Sequence, residues 1–500
     1  MKHDKKYLSI YFFQLIFFST LCASPSLNFR GNSSFLQVSS GATLKFNQAV
    51  SQFSGKLIKK SGATVSGSNI TFVDGVLQDA DNDLQLNGIF NPAGTVSLNG
   101  NKTFKAEKGT LVQSLQISGS GNNIEGVPTF SSAITLQDAN AAVTIAVQSV
   151  FNKNIVLNGG TLTLGDNFSF GDAVVFSGNG DVNVNGYRVN FGGEDVSLTC
   201  SINWTDAADI SLHSNIDLSG TFTFNGTNRI NGNGFIIDLA SGGELVVASG
   251  ATLYVNNATL KNIADAQIRC VDDTGTIILQ DVTWLQKNNA TFAAGTLQYK
   301  DLVVMKGNGA IFAYQSSQPS SILGYSQLYL DNGFTFSYDP VNSASKNLLV
   351  FEDATSILSL DGATLHATTT GVQLKKGIVL IESNSNFASE KIGELDEGIT
   401  LGSGTESEDC VCEILSGVRL TITQGSLHTR NVGSGAWIMH NEQSNIYISS
   451  GATLRLYENL DIGNGSLYFD SNATLARITN VSLSGTTHIL GALSQILLSE

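Results

Sequence analysis

The stretch that decides the fold runs from Asn445 to Leu475 and reads N-I-Y-I-S-S-G-A-T-L-R-L-Y-E-N-L-D-I-G-N-G-S-L-Y-F-D-S-N-A-T-L. When it is shifted so that Tyr447 falls on Tyr468, it aligns with itself, and Leu454 then falls on Leu475. A period in the low twenties, built from short alternating strands and turns rich in Gly, Asn and Ser, is typical of a solenoid. The sequence therefore indicates an architecture more directly than a biochemical function.

Alternation within this unit predicts which side chains form the core. Successive side chains of a strand point to opposite faces, so alternate positions share one environment. One coil cannot bury its apolar face alone, whereas stacked coils bury a continuous column. The predicted inward positions are Ile446, Ile448, Leu454 and Leu456, and the predicted outward positions are Tyr447, Thr453 and Arg455.

The composition of the chain agrees with a stack of paired strands. The 500 residues are 42% hydrophobic and 14% charged, which allows a sizeable core. Only five prolines occur, and none interrupts an alternating apolar run. A strand that is paired on both sides needs its N–H groups, so its sequence must exclude proline. We therefore predict an all-β fold with few free edges.

The N-terminus has the layout of a secretory signal peptide. Lys2, Lys5 and Lys6 precede an apolar run over residues 7–18, and small residues follow around Ala23. A short apolar run between basic residues and a small-residue site is the pattern of a cleaved signal rather than of a membrane span. We expect residues 1–23 to be removed and the rest to be secreted or displayed at the cell surface, with no transmembrane span.

The net charge of the chain limits its partners. Twenty-seven basic residues stand against 42 acidic ones, which gives a formal charge of −15. An acidic surface repels phosphate backbones and anionic lipids. We expect no nucleic-acid partner, and surface glycans or proteins as the partners instead; the oligomeric state is left open.

Four cysteines follow the signal segment, and their spacing does not indicate a disulfide scaffold. The interval from Cys200 to Cys270 is longer than three coils of the repeat. At ~4.8 Å per coil they would lie ~15 Å apart, too far for a disulfide. Cys410 and Cys412 would share one face of a strand. A lone C-x-C pair is a weak metal signal, so buried thiols are the simpler interpretation.

Recurring turn motifs divide the mature chain into sections. S-G-A-T-L at Ser40–Leu44 recurs as S-G-A-T-V at Ser61–Val65, and G-G-T-L-T-L at Gly159–Leu164 resembles S-G-T-F-T-F at Ser219–Phe224. The region Ser389–Glu413 is rich in Asp and Glu, which predicts an acidic loop. The predicted sections are N-terminal coils over 24–130, central coils over 131–388, an acidic loop insertion over 389–413 and C-terminal coils over 414–500.

Three further stretches carry a resemblance to a known group of folds. They are R-I-N-G-N-G-F-I-I-D-L at Arg229–Leu239, A-T-L-K-N-I at Ala258–Ile263 and L-Q-D-V-T-W at Leu279–Trp284. They resemble the coil signatures of right-handed parallel β-helices, which include pectin-lyase-like proteins and the passenger regions of autotransporter adhesins. The resemblance implies one single-stranded right-handed parallel β-helix, a β-solenoid with irregular coils of about 20–24 residues.

The residue patterns expected of a catalytic or metal site are missing from the sequence. The N-T-D, G-D-D, G-H-G and R-I-K motifs of polygalacturonase-like enzymes do not occur. The adjacent pair Asp272–Asp273 follows a turn pattern, although a carboxylate site is the alternative. The D-x-D-x-D run that begins at Asp79 lacks the Gly and Glu that an EF-hand loop requires, because Leu84 and Phe90 stand there. We predict no catalytic, cofactor-binding or metal site.

Two functions of different classes remain open on the sequence alone. The first is a non-catalytic β-solenoid that acts as an adhesin or as a structural or interaction protein at the cell surface. The alternative is a carbohydrate-active enzyme, a polysaccharide lyase or glycoside hydrolase of the pectin-lyase-like fold. Carboxylates gathered on one solenoid face would favour the enzyme.

Overall fold

Parallel strands of three ladders form the described chain, in which no helix occurs. The computed structural model describes isolated strands and turns between residues 27 and 92 and most of residues 95–499. Within the described residues, no helix is long and apolar enough to span a membrane. The gaps after residue 95 are 102, 107–110, 113, 127–128, 131, 147–149, 152, 172–173, 193–195, 206, 342–344, 369, 391–397, 405–408, 432–435, 479–480 and 492–494.

Each coil contributes one strand to each ladder, in a fixed order along the chain. The first ladder contains Phe35–Val38, Lys56–Lys59, Leu77–Asp79, Thr95–Asn99, Ser114–Ser118, Ile134–Leu136, Ile155–Val156, Val175–Ser177, Val196–Leu198, Ile216–Leu218, Ile236–Asp238, Gln327–Leu330, Ile357–Asp361, Ile378–Ser383, Val411–Ile414 and Trp437–Met439.

The second ladder follows the first within each coil. It contains Thr43–Phe46, Thr64–Gly67, Asp83–Leu86, Thr103–Ala106, Asn122–Gly126, Ala142–Ala146, Thr161–Leu164, Gly180–Asn183, Ile202–Thr205, Thr221–Phe224, Glu244–Val247, Ile268–Cys270, Ala290–Phe292, Ile311–Tyr314, Thr335–Tyr338, Thr364–Ala367, Ser385–Ser389, Arg419–Gln424, Asn445–Ile448, Leu460–Phe469 and Leu483–Ile489.

The third ladder closes each coil. It contains Leu27–Asn28, Ser51–Ser54, Ile70–Phe72, Phe90–Pro92, Leu111–Val112, Thr129–Phe130, Val150–Phe151, Phe168–Phe170, Arg188–Phe191, Asp209–Leu212, Thr227–Asn231, Ser320–Ile322, Leu349–Phe351, Val372–Leu374, Ile399–Leu401, Ser426–Thr429, Thr453–Leu456, Thr474–Ile478 and Gln495–Ser499. Three long strands, Thr252–Ile263, Thr276–Gln286 and Thr296–Lys306, belong to the third ladder and continue into the first ladder of the next coil.

The register of the ladders confirms the period read from the sequence. Tyr447 pairs with Tyr468, and Leu454 pairs with Leu475. The chain forms a parallel β-solenoid, an architecture consistent with a right-handed parallel β-helix. Several coils exceed the expected length; for example, the strand partner of Leu328 is Leu358 and that of Val379 is Cys412.

The inward positions form one continuous core along the stack. Ile446, Ile448, Leu454 and Leu456 are fully buried, as the alternation predicts. Further toward the N-terminus the column is aromatic, and the rings of Phe170 and its partner one coil on lie nearly parallel with centroids 5.2 Å apart. Each fully buried large apolar side chain contributes roughly 1.5–3 kcal/mol, so the column is the main stabilising feature of the fold.

One predicted outward position is covered instead of exposed. Thr453 is 4% exposed, and the neighbouring strand Ser426–Thr429 is buried at every position. The ring of Tyr457 lies 5.7 Å from that of His428, and the guanidinium of Arg430 lies 4.3 Å from the Tyr457 centroid. The outward positions of the third ladder are therefore covered in these coils, which alternation within a strand could not reveal.

The acidic region predicted as a loop over 389–413 contains a strand of the stack. Ile399–Leu401 pairs with Val372–Leu374 on one side and with Leu427 to Thr429 on the other. The segments 391–397 and 405–408 lie outside the described residues. Strand pairing also continues across the predicted boundaries at residues 130 and 388, and the predicted signal segment 1–23 lies outside the described residues.

Candidate binding surfaces

The Asp272–Asp273 pair lies at a corner of the solenoid, where both carboxylates accept hydrogen bonds from the protein. Asp272 accepts from the hydroxyl of Ser249 and from the amide of Thr274, at 2.9 Å for the amide. These donors, the Ser249 hydroxyl foremost, lower the pKa of Asp272. Asp273 accepts from the hydroxyl of Ser317 at 2.5 Å. Both side chains therefore tie coils together at a turn, as the turn interpretation predicts.

The other residues considered for metal binding do not come together. The D-x-D-x-D run falls partly on residues 80–82, which lie outside the described residues. Across the part of the chain that the structure describes, no group of three or more His, Cys, Asp or Glu side chains could hold a metal ion. His440 instead pairs with Glu413, with 2.6 Å between Nε2 and Oε1.

The four described cysteines are buried thiols without disulfide bonds. Burial raises the pKa of Cys200 and of Cys270 to about 12, and it also raises the pKa of Cys410 and of Cys412. A thiol is nucleophilic and binds metal as its thiolate, so these groups are inert near neutral pH. The C-x-C pair lies in the core on the strand Val411–Ile414 and at the residue before it.

The first candidate surface is the aromatic row, which consists of Tyr447, Tyr468 and His488 on the outer side of the second ladder. Strand pairing brings these three residues into one file across three successive coils. The rings of Tyr468 and His488 are nearly parallel, with an angle of 13° and centroids 4.5 Å apart. Tyr447 and Tyr468, which the sequence repeat aligns, are neighbours in strand register, and the file continues to His488.

Polar groups hold one end of the aromatic row in place. The guanidinium of Arg419 lies 5.1 Å from the centroid of Tyr447, and its Nε donates to Asn445 Oδ1 at 2.9 Å. Burial and then a hydrogen bond to the Asp470 carboxylate raise the pKa of Tyr447. A planar guanidinium stacked on a ring and a hydroxyl bonded to a carboxylate reduce the rotational freedom of both side chains. The row is therefore a preorganised file of rings.

The second candidate surface is the corner groove, which lies where the third ladder turns into the first ladder of the next coil. Its volume is about 470 Å³, and residues of four consecutive coils line it. Because coils are spaced ~4.8 Å apart, the groove extends ~14 Å along the stack. Earlier coils contribute Asp281, Asp301 and Leu302, and later coils contribute Tyr325, Gln327 and Thr355.

A change in corner length produces this groove. In each of two long strands the chain turns at a single residue with left-handed backbone. This residue is Asn257, with φ 45°, in Thr252–Ile263 and Asp281, with φ 52°, in Thr276–Gln286. Asn and Asp adopt this conformation more readily than other non-glycine residues. The corner that follows the one in Thr296–Lys306 is longer, because Ile322 pairs with Tyr299 but Gln327 pairs with Leu302. Two additional residues therefore bulge outward beside the tight corners.

The bulge presents Tyr325 to the solvent. Its side chain is 86% exposed, and its backbone is left-handed with φ 56°. The amide of Tyr325 donates to Thr355 Oγ1 at 2.7 Å, and that hydroxyl donates to Asp353 Oδ1 at 2.5 Å. The following coil thus fixes the backbone of Tyr325, while Leu302, itself 44% exposed, adds apolar surface to the groove.

Two carboxylates complete the polar part of the groove. Asp301 Oδ2 accepts from Gln280 Nε2 at 2.7 Å, and Asp281 Oδ1 accepts from the amide of Leu302 at 3.4 Å. The amide of Asp301 donates to Ser326 Oγ at 2.9 Å. These bonds hold both carboxylates at the mouth of the groove, where they can accept hydrogen bonds from hydroxyl groups of a ligand.

The sequence repeat aligned Tyr447 with Tyr468 but indicated neither His488 as the third member of the row nor the corner groove. The row is visible because Tyr447 and Tyr468 are one constant period apart. The groove joins residues from coils of unequal length, so its members share no spacing. The available signal was Tyr325 in L-G-Y-S, a bulky ring beside a glycine in a turn, where Asn or Asp stands in the preceding corners.

Comparison with known proteins adds no family to this description. No protein-family model matches the chain, and searches of curated proteins and of solved structures found no match. The resemblance to pectin-lyase-like proteins therefore rests on the coil motifs of the sequence, and the structure supports the parallel β-solenoid fold.

Proposed function

We propose that this protein is exported to the cell surface or beyond it and acts there as a non-catalytic β-solenoid adhesin or interaction protein. The aromatic row carries the proposal. Tyr447, Tyr468 and His488 form a partly exposed file of rings on the sheet, with the guanidinium of Arg419 near the ring of Tyr447 at one end. Aromatic rings beside polar groups supply contact area at a small cost in side-chain entropy, which suits recognition of surface glycans or proteins.

Export is proposed from the N-terminal sequence. The basic residues Lys2, Lys5 and Lys6, the apolar run that follows and the small residues around Ala23 form a signal-peptide pattern. The buried free thiols do not depend on an oxidising or a reducing compartment, since burial keeps them protonated. The acidic net charge supports partners other than nucleic acid.

The geometry at the Asp272–Asp273 pair gives the enzyme alternative less support. A lyase or hydrolase needs carboxylates that can reach a bound sugar. Asp272 and Asp273 instead accept hydrogen bonds from Ser249, Thr274 and Ser317 at a corner. We therefore keep the carbohydrate-active enzyme as an outcome that a combined assay can detect.

The test measures binding and catalysis together on the full chain. We expect binding to immobilised glycans or surface proteins, with no release of unsaturated sugars or new reducing ends from pectic polysaccharides. The double substitution Tyr447→Ala with Tyr468→Ala should weaken binding at least tenfold, because it removes both rings of the row. That corresponds to about 1.4 kcal/mol, a usual contribution for two stacked aromatic contacts.

The matched control is Tyr254→Ala. Tyr254 also faces outward, with the guanidinium of Arg229 5.4 Å from its centroid, but it lies on the third ladder far from the row. Binding should stay within twofold of the unsubstituted protein. Equal losses for the control and the double variant would contradict the proposal, and so would product release that disappears when Asp272 and Asp273 are both changed to Ala.

A further inference from the structure

Tyr325, in the corner groove, has a left-handed backbone conformation that gives the fold no advantage. Left-handed backbone costs a non-glycine residue roughly 1–2 kcal/mol, and a bulky aromatic residue lacks the local hydrogen bonds that help Asn and Asp. Asn257, Asp281 and Asp301 occupy the preceding corners with positive φ. The ring of Tyr325 is 86% exposed, so core packing does not compensate for its backbone conformation.

The groove combines the groups that recognise a sugar ring. The face of Tyr325 and the apolar side chain of Leu302 can pack against the C–H groups of a pyranose. The carboxylates of Asp281 and Asp301 accept hydrogen bonds, and the amide of Gln327 both donates and accepts them. Apolar surface with a few placed polar groups is the usual composition of a ligand site.

We propose that the corner groove binds a neutral, hydroxyl-rich glycan, with Tyr325 as the stacking platform and Asp281 and Asp301 as hydroxyl acceptors. Two carboxylates in adjacent coils disfavour uronic acids and sulfated sugars, because like charges repel at short distance. The extent of ~14 Å along four coils suits a chain of sugars more than a single ring. This site is separate from the aromatic row, so it goes beyond the proposed function.

The experiment uses Tyr325→Gly in the full-length protein. Glycine removes the ring and also relieves the left-handed strain at φ 56°, so the variant should be at least as stable as the unsubstituted protein. A loss of binding then cannot come from unfolding. The probes are a soluble neutral glucan and a neutral mannan, with polygalacturonate as the acidic comparison, and binding is measured by calorimetry.

We expect Tyr325→Gly to lose at least tenfold in affinity for whichever neutral glycan the unsubstituted protein binds. Tyr325→Phe keeps the ring, so its affinity should stay within twofold of the unsubstituted protein. Asp301→Asn should weaken binding less than Tyr325→Gly, since an amide still accepts one hydrogen bond. Asn257→Gly is the matched control, because it makes the same backbone change at a corner outside the groove and should leave affinity unchanged.

Three results would overturn the inference. They are a neutral-glycan affinity that is absent for both probes or that Tyr325→Gly does not change, tighter binding of polygalacturonate than of both neutral probes, and binding only when calcium is added. The aromatic row is tested separately by the Tyr447 and Tyr468 substitutions. If those abolish binding while Tyr325→Gly does not, the proposed function stands and the groove is not a sugar site.

Discussion

At the scale of the residue, buried tyrosines show how the solenoid accommodates irregular coils. Tyr299, Tyr314 and Tyr338 are fully buried, and each hydroxyl has a partner inside the protein. Tyr338 donates to Ser345 O at 2.5 Å and accepts from the amide of Leu348 at 3.1 Å. Buried polar groups must be paired. The tyrosines thus attach the looped-out backbone of the longer coils to the core.

Tyr338→Phe tests this attachment. The change keeps the ring but leaves Ser345 O and the Leu348 amide without the hydroxyl, so unfolding free energy should fall by about 1–3 kcal/mol. Urea unfolding followed by circular dichroism measures it. Tyr254→Phe is the control, since Tyr254 faces outward, and its effect should stay within about 0.5 kcal/mol. An equal effect in both variants would show that the buried hydroxyl has no special role.

The difference in stability between the unsubstituted protein and Tyr338→Phe should also depend on pH. Burial raises the pKa of Tyr338 to about 12 from its ordinary value of 10.0. A group whose pKa is higher in the folded state than in the unfolded state contributes to the free energy of unfolding. For Tyr338 this contribution is fully present below pH 10 and is lost as the pH rises toward 12. The stability difference between the unsubstituted protein and Tyr338→Phe should therefore shrink between pH 10 and pH 12. A constant difference over that range would mean that the hydroxyl is not buried in solution.

At the scale of the element, the corners decide where one strand ends and the next begins. In Thr252–Ile263 one residue turns the strand from the third ladder into the first, whereas the corner at Leu323 to Ser326 needs four. The sequence predicted strands and inward residues wherever coil length was constant, because alternation and period then agree. The sequence could not predict the groove or the burial of Thr453. Both depend on which residues become neighbours when successive coils differ in length.

Substitutions at Asn257 test the single-residue corner. Asn257 is exposed with φ 45°, so Asn257→Gly should change stability by less than about 0.5 kcal/mol. Asn257→Val should destabilise the protein by about 1–2 kcal/mol, because a β-branched side chain is disfavoured in left-handed backbone. Thermal unfolding compares the two variants. Equal stability of the Val and Gly variants would show that the corner rearranges without cost.

At the scale of the whole molecule, the stack behaves as a row of units that contact mainly their neighbours. With neighbouring coils ~4.8 Å apart, the stack forms an extended column. In the part of the chain that the structure describes, strands pair with the coils directly before and after them, so local disruption should remain local. The sequence predicted this arrangement from one repeated stretch. Each repeat buries the apolar face of its neighbour, so the stack continues for as long as the pattern recurs.

A pair of core substitutions at opposite ends tests this locality. Leu162 and Leu454 are both buried in the core, and an aspartate at either site would place an unpaired carboxylate there. Hydrogen exchange followed by mass spectrometry should show faster exchange near residue 454 in Leu454→Asp, with amides of residues 134–260 unchanged. Leu162→Asp should show the reverse pattern, and Thr163→Asp, one residue away on the outer side, should change little. Faster exchange along the whole column in either core variant would mean that the solenoid unfolds as one cooperative unit, because stabilising contacts would then couple coils far beyond their nearest neighbours.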